Sequence, residues 1–231
     1  MKRFGVVISM LLFTGLSANA QFGLRASYNL NNAPAWDQVF SEALNRDVNI
    51  FSSSQSLTLD YWIRLPNHRV EFYPNISYHG AQMTIRPGVG QLDLPMKLQQ
   101  IGGGLLAHIY PLDFTGDCDC PTFSKQGGLF KKGFFILGGL GADYSLKDWD
   151  RSGLSDGNID IKGSIGLGMD IGITDLFTIS PFIQFQRYFD VSGHDLSNLF
   201  NLDDSNISSS INQLQLGIRV GFRPDYTKNR F

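Results

Sequence analysis

The stretch "NIDIKGSIGLGMDIGIT", residues 158–174, decides the fold. Ile159, Ile161, Ile165, Leu167, Met169, Ile171 and Ile173 fall on one side of it, and Asp160, Lys162, Ser164, Gly166, Gly168, Asp170 and Gly172 on the other. A side-chain period of two is that of a β-strand with one apolar and one polar face. The alternation does not itself say which face meets water, and that choice separates a soluble barrel from a membrane one.

Seven further segments carry the same period, giving eight in all: "FGLRASYNL" from Phe22, "SLTLDYWIRL" from Ser56, "VEFYPNISYHG" from Val70, "QQIGGGLLAHIY" from Gln99, "GFFILGGLGADYSL" from Gly133, "TISPFIQFQRYF" from Thr178 and "QLQLGIRVGF" from Gln213. Eight is an even number, as an antiparallel barrel with both ends on one side requires. Pro74, awkward in a paired strand, is expected to mark a bulge. Connections alternate in length. Residues 31–54, 81–96, 146–157 and 191–211 are long and polar, whereas the turns near 66–69 and 174–177 are tight. Outer-membrane barrels sort their loops in this way, with short periplasmic turns and longer extracellular loops. Residues 111–132 break the rule, a connection of about 20 residues on the side of the short turns.

Before the first segment, "MKRFGVVISMLLFTGLSANA" places Lys2 and Arg3 ahead of an apolar run and ends in an A-x-A pattern, which predicts a signal peptide over residues 1–20. The expected division is signal peptide 1–20, barrel 21–223 and a short tail 224–231. The 25 Gly and 18 Phe with only 17% charged residues suit strands and turns. Without Lys2 and Arg3, 17 basic residues stand against 21 acidic ones, so no basic excess argues for nucleic acid.

Two further patterns turn the apolar face toward lipid. The polar faces are rich in glycine and carry isolated charges of both signs, Arg25, Asp60, Arg64, Glu71, Asp143, Lys162, Asp170 and Arg219, as a narrow packed lumen would. Aromatic residues gather at both strand ends: Phe22, Phe72, Tyr110, Phe134, Phe177 and Phe222 on the short-turn side, Tyr28, Tyr78, Tyr144 and Phe189 on the other. Two interfacial girdles have this arrangement. The expectation is an all-β, eight-stranded antiparallel up-and-down transmembrane barrel with a packed polar lumen, in the outer membrane. Trp62, Tyr73 and Tyr188 should help close that lumen against diffusion.

The cleavage region running directly into "QFGLRASYNL", and the final strand "QLQLGIRVGF" ending in an aromatic, resemble the outer-membrane β-barrel proteins of Bacteroidetes-type bacteria, the PorT-like and OmpX-like group. The resemblance implies that Leu214, Leu216, Ile218, Val220 and Phe222 form the signal read by the insertion machinery, and that the protein is accessory to secretion or envelope assembly. Nine residues, "RPDYTKNRF", follow Phe222, and the unbroken alternation favours Phe222 over Phe231 as the terminal aromatic.

No catalytic, cofactor or metal residue is assigned. His194, Asp195, Asp203 and Asp204, with Ser192, Ser197 or Ser205, could form a hydrolytic site at the extracellular rim, but no fixed motif links them, and such residues are common in polar loops because they make turns. Cys118 and Cys120, flanked by Asp113, Asp117 and Asp119, leave three readings open: a strained disulfide, free thiols in a turn, or a metal site short of the usual ligand number. The function expected is a structural or interaction barrel whose partners are lipid and, through residues 111–132, another envelope protein. A hydrolase or small-ligand barrel is the alternative.

Overall fold

A computed structural model describes residues 21–45, 47, 49, 51–65, 68–85, 94–114, 129–149, 155–174, 176–192 and 208–222. The strands are β1 (Phe22–Asn32), β2 (Ser53–Tyr61) with its continuation β3 (Ile63–Arg64), β4 (Val70–Ile85), β5 (Leu94–Ile109), β6 (Phe134–Trp149), β7 (Ser155–Met169) with its continuation β8 (Ile171–Gly172), β9 (Phe177–Ser192) and β10 (Ser208–Phe222). Counting each continuation with its parent, they make eight staves. Every stave pairs antiparallel with its neighbours in chain order, and β1 pairs with β10 from Phe22↔Phe222 to Asn32↔Asn212. That last ladder closes the barrel, while extensions such as those beyond Gly80 on β4 and before Ile161 on β7 pair on one side alone.

Facing follows the period of two. Leu140, Ile159 and Ile76 on the outer wall are 72%, 69% and 65% exposed, while Asp143, Asp60 and Glu71 inside are 0%, 1% and 1% exposed. A water-soluble protein would carry the opposite arrangement. The outer wall is an apolar band, and at its short-turn end Phe22 meets Tyr61 and Phe177 meets Phe222, at centroid separations of 5.8 and 5.2 Å.

Three expectations change, and one irregularity is new to the structure. Tyr110 is not part of the outer girdle; it is fully buried at the base of the lumen. Pro74 produces no bulge, because the β2–β4 and β3–β4 pairings keep one register on either side of it. Pro74 has no N–H to give, so pairing with the opposite stave lapses between β2 and β3, while the Trp62 N–H continues the β1 ladder to Gln21 O at 3.0 Å. A register shift does occur on β9: Ser209 faces Val191 but Ile211 faces Tyr188. The extra residue turns Val191 inward.

The third change concerns residues 31–54, read as a polar loop, which hold a helix, α1 (Pro34–Leu44). Pro34 stands in its first turn, where a missing N–H costs nothing. Asn45 ends it in the left-handed conformation, its N–H returning to Glu42 O. Trp36 and Phe40, one turn apart, point into the barrel mouth and pack with Phe51, Leu98, Tyr188 and Ile211. Ser209 Oγ accepts the Ala35 N–H at 3.3 Å, tying the start of α1 to β10.

Candidate functional site

The lumen is filled in tiers. At the base, Asp60 from β2 and Arg219 from β10 form a bidentate pair, with Nε to the carboxylate at 3.0 and 3.1 Å and Nη2 at 2.7 Å. Arg219 also lies over the Tyr73 ring at 4.6 Å. Tyr73 donates to Glu71 Oε2 at 2.6 Å, and the Tyr110 hydroxyl reaches both Glu71 Oε2 at 2.9 Å and Asp170 Oδ2 at 2.6 Å. Burial, with Asp170 and Glu71 beside it, pushes the Tyr110 hydroxyl well above its ordinary range, so it stays protonated between the two. Ser180 donates to the other oxygen of Asp170. Beneath them Arg69 pairs with Asp113 and lies over the Tyr110 ring at 4.3 Å, closing the periplasmic end.

Nearer the mouth, Lys162 Nζ lies 2.7 Å from Asp143 and donates to Ser77 at 3.1 Å. Tyr188 donates to Asp143 at 2.6 Å, and Asp160 accepts from Ser145, which in turn accepts from Gln100 at 3.0 Å. Between these tiers Arg25 is buried, lies over the Phe182 ring at 4.8 Å and gives one long bond to Gln184, at 3.5 Å. Beside it a polar cavity of about 30 Å³ is lined by Arg25, His79, Lys162, Ser164, Gln184 and Gln215, room for about one water. Under α1 a second cavity measures about 10 Å³. A larger concavity of about 1160 Å³ opens on the outer wall between Tyr28, Leu57, Tyr78 and Leu216.

Of the charges read from the sequence, the structure brings Asp60 to Arg219 and Asp143 to Lys162, and places Glu71 and Asp170 on the two sides of Tyr110. Arg25 lies in the lumen against an aromatic face and an amide. Arg64, in register with the inward Glu71, lies on the lumen face at the periplasmic rim, half-buried and with no ion pair among the described residues. It is the last residue of its stave. Asp160, placed on the polar side of the opening stretch but not counted among the lumen charges, is buried with them. The reading missed the closure by Arg69, Tyr110 and Asp113, whose members come from two separate connections. Asp113, taken there as a neighbour of the cysteines, is committed to Arg69.

Cys118 and Cys120, the side chain of Ser192, residues 1–20 and the rim residues His194, Asp195, Ser197, Asp203, Asp204 and Ser205 lie outside the described residues. Leu214, Leu216, Ile218, Val220 and Phe222 are exposed along the outer face of β10.

Closure, an apolar exterior and a charged, packed interior define a transmembrane β-barrel of the outer membrane. No protein-family model matches the chain, and no curated protein does. Among solved structures it is similar to Neisserial surface protein A, with 12% identity over 87% of this chain and 96% of that one and a TM-score of 0.44. It is also similar to a major outer membrane protein from Thermus thermophilus, at 10% identity, 87% and 99% coverage and a TM-score of 0.44. Ail, the attachment invasion locus protein of Yersinia pestis, aligns at 11% identity, 87% and 98% coverage and a TM-score of 0.39.

Proposed function

We propose that this barrel is a structural or interaction component of the cell envelope, accessory to a secretion or assembly system of the kind served by PorT-like proteins, and neither a pore nor a hydrolase. The observation that carries this reading is the filling of the lumen: two charged tiers and a helix occupy the path a solute would take. An interior committed to its own closure leaves the ends of the barrel as the surfaces for function. Of these, the periplasmic connection 111–132 is the one whose length barrel geometry does not demand. It is held to the barrel base through Arg69 and Asp113, which gives a docking segment a fixed origin.

Photo-crosslinkers placed at residues 115–130 in intact cells test the reading. Capture of one envelope protein there, and not from the extracellular loops, is the expected result. Strong capture from residues 193–207 alone would make the protein a surface adhesin or receptor instead.

A further inference from the structure

The apolar belt at the periplasmic end continues past the strands. Phe134, on the outer wall of β6, stacks on Phe130 of the short helix α2 (Leu129–Gly133), with centroids 5.5 Å apart and planes at 18°. Phe130 is itself 63% exposed. On the other flank of the same connection, Leu112 and Phe114 are exposed, next to the exposed Ile109 at the end of β5. The turn that carries them is held from behind: the Arg69 N–H reaches Phe114 O at 3.0 Å, and the Arg69 side chain holds Asp113. The apolar side chains therefore project from a fixed backbone.

Among the described residues, the charge beside them that is not paired is positive. Lys131 is exposed and Lys132 half-buried in the last turn of α2, and the one described carboxylate of the connection, Asp113, is taken by Arg69.

We propose that the flanks of this connection, residues 112–114 and 130–132, are seated in the periplasmic leaflet, with Leu112, Phe114 and Phe130 among the upper acyl carbons and Lys131 and Lys132 against anionic phospholipid headgroups. Continuity with the lipid-facing wall selects lipid as the occupant, because Phe130 extends a stack whose other member already meets acyl chains. The order of side chains, aromatic toward the band and lysine just beyond it, is that of an interfacial anchor. This seating does not depend on any protein partner.

The test uses the full-length chain with Cys118→Ser and Cys120→Ser, carrying a nitroxide at Phe130→Cys, in nanodiscs of phosphatidylcholine and phosphatidylglycerol. Collisions with oxygen should exceed those with a water-soluble nickel chelate, as for a label at Leu167→Cys on the lipid face and unlike one at Gln38→Cys on the exposed face of α1. A label at Leu112→Cys repeats the measurement without disturbing the Phe130–Phe134 stack. Nickel-dominated collisions at both positions would overturn the proposal, and so would protection that appears only when envelope protein is added. Spin-labelled phosphatidylglycerol should associate with the protein roughly fivefold more than phosphatidylcholine, and Lys131→Glu with Lys132→Glu should abolish the preference. An equal association in the unsubstituted protein would overturn the headgroup contact.

Discussion

Gly23 shows how the lumen charges fit at all. It lies in register with Asp60 on one side and Gly221 on the other, and a Cβ there would stand 2.3 Å from Arg219 Nη2 and 2.4 Å from Asp60 Oδ1. Gly102 does the same for Asp143, and Gly141 leaves the space through which Lys162 crosses diagonally to Asp143. Glycine on these inward faces is space for a neighbour's charge. Gly23→Ala should therefore displace the Asp60–Arg219 pair and cost about 1–3 kcal/mol, read as a lower midpoint for urea unfolding from vesicles. The pair itself makes a sharper test. Asp60→Asn leaves the Arg219 guanidinium buried without its counter-charge, at a cost of about 3–5 kcal/mol, whereas Asp60→Leu with Arg219→Leu should cost less than that single change. If the double variant is the worse of the two, the pair contributes more than it costs to desolvate. The inward placement of Asp60 and Arg219 was legible from alternation, but their partnership was not. It arises from β1 lying between their staves once the barrel has closed. Arg25 stands in register with Arg219 and for that reason turns to Phe182, a choice no local pattern contains.

Strand elements were legible for as long as their inner faces stayed polar, and the alternation faded where they did not. β4 and β5 extend to Ile85 and from Leu94, and β10 begins at Ser208, because Ala81, Met96, Leu98 and Ile211 continue the staves with apolar residues facing inward. Those residues break the rule that polar faces point inward, since α1 covers them. The helix and the strand extensions are thus one feature, and missing the first hid the second. The signals for α1 were present in Pro34 followed by Trp36 and Phe40 four residues apart, weakened by the polar residues around them. Trp36→Ala or Phe40→Ala should each cost about 3–5 kcal/mol and expose residues 33–52 to protease added outside intact cells, with the strands below remaining protected. The same face assignment governs β7. Leu167→Arg puts a charge in the lipid band and should reduce stability by about 2–4 kcal/mol. Ser164 faces inward beside the cavity of about 30 Å³ that Arg25 and Lys162 already line, so Ser164→Ala should be nearly neutral. Comparable losses from Leu167→Arg and Ser164→Ala in heat-modifiability on gels would reverse the facing.

At the scale of the whole molecule, closure determines both how the barrel is made and what fills its axis. β10 is the last stave, and Phe222 ends it on the outer wall, 5.2 Å from Phe177 and in register with Phe22. Removing residues 223–231 should leave membrane insertion unchanged while Phe222→Ala slows it, as measured by the appearance of the heat-modifiable form; the opposite result would make Phe231 the terminal aromatic. The closed barrel is then sealed more than once along its axis. α1 fills the mouth through Trp36 and Phe40, Lys162 with Asp143 and Tyr188 spans the upper lumen, Asp60 with Arg219 and Tyr73 spans the lower, and Arg69 with Asp113 closes the base. The charged tiers join different staves, so each is held by the barrel wall and does not depend on α1 for its position. In planar bilayers the intact protein should show no sustained conductance steps, and replacing residues 33–52 by a two-residue hairpin turn should leave it silent although stability falls. Steps appearing in the helix-less variant but not in the intact protein would make α1 a gate and the charged tiers permeable to ions. That outcome would also remove the reason for seeking function at the ends of the barrel.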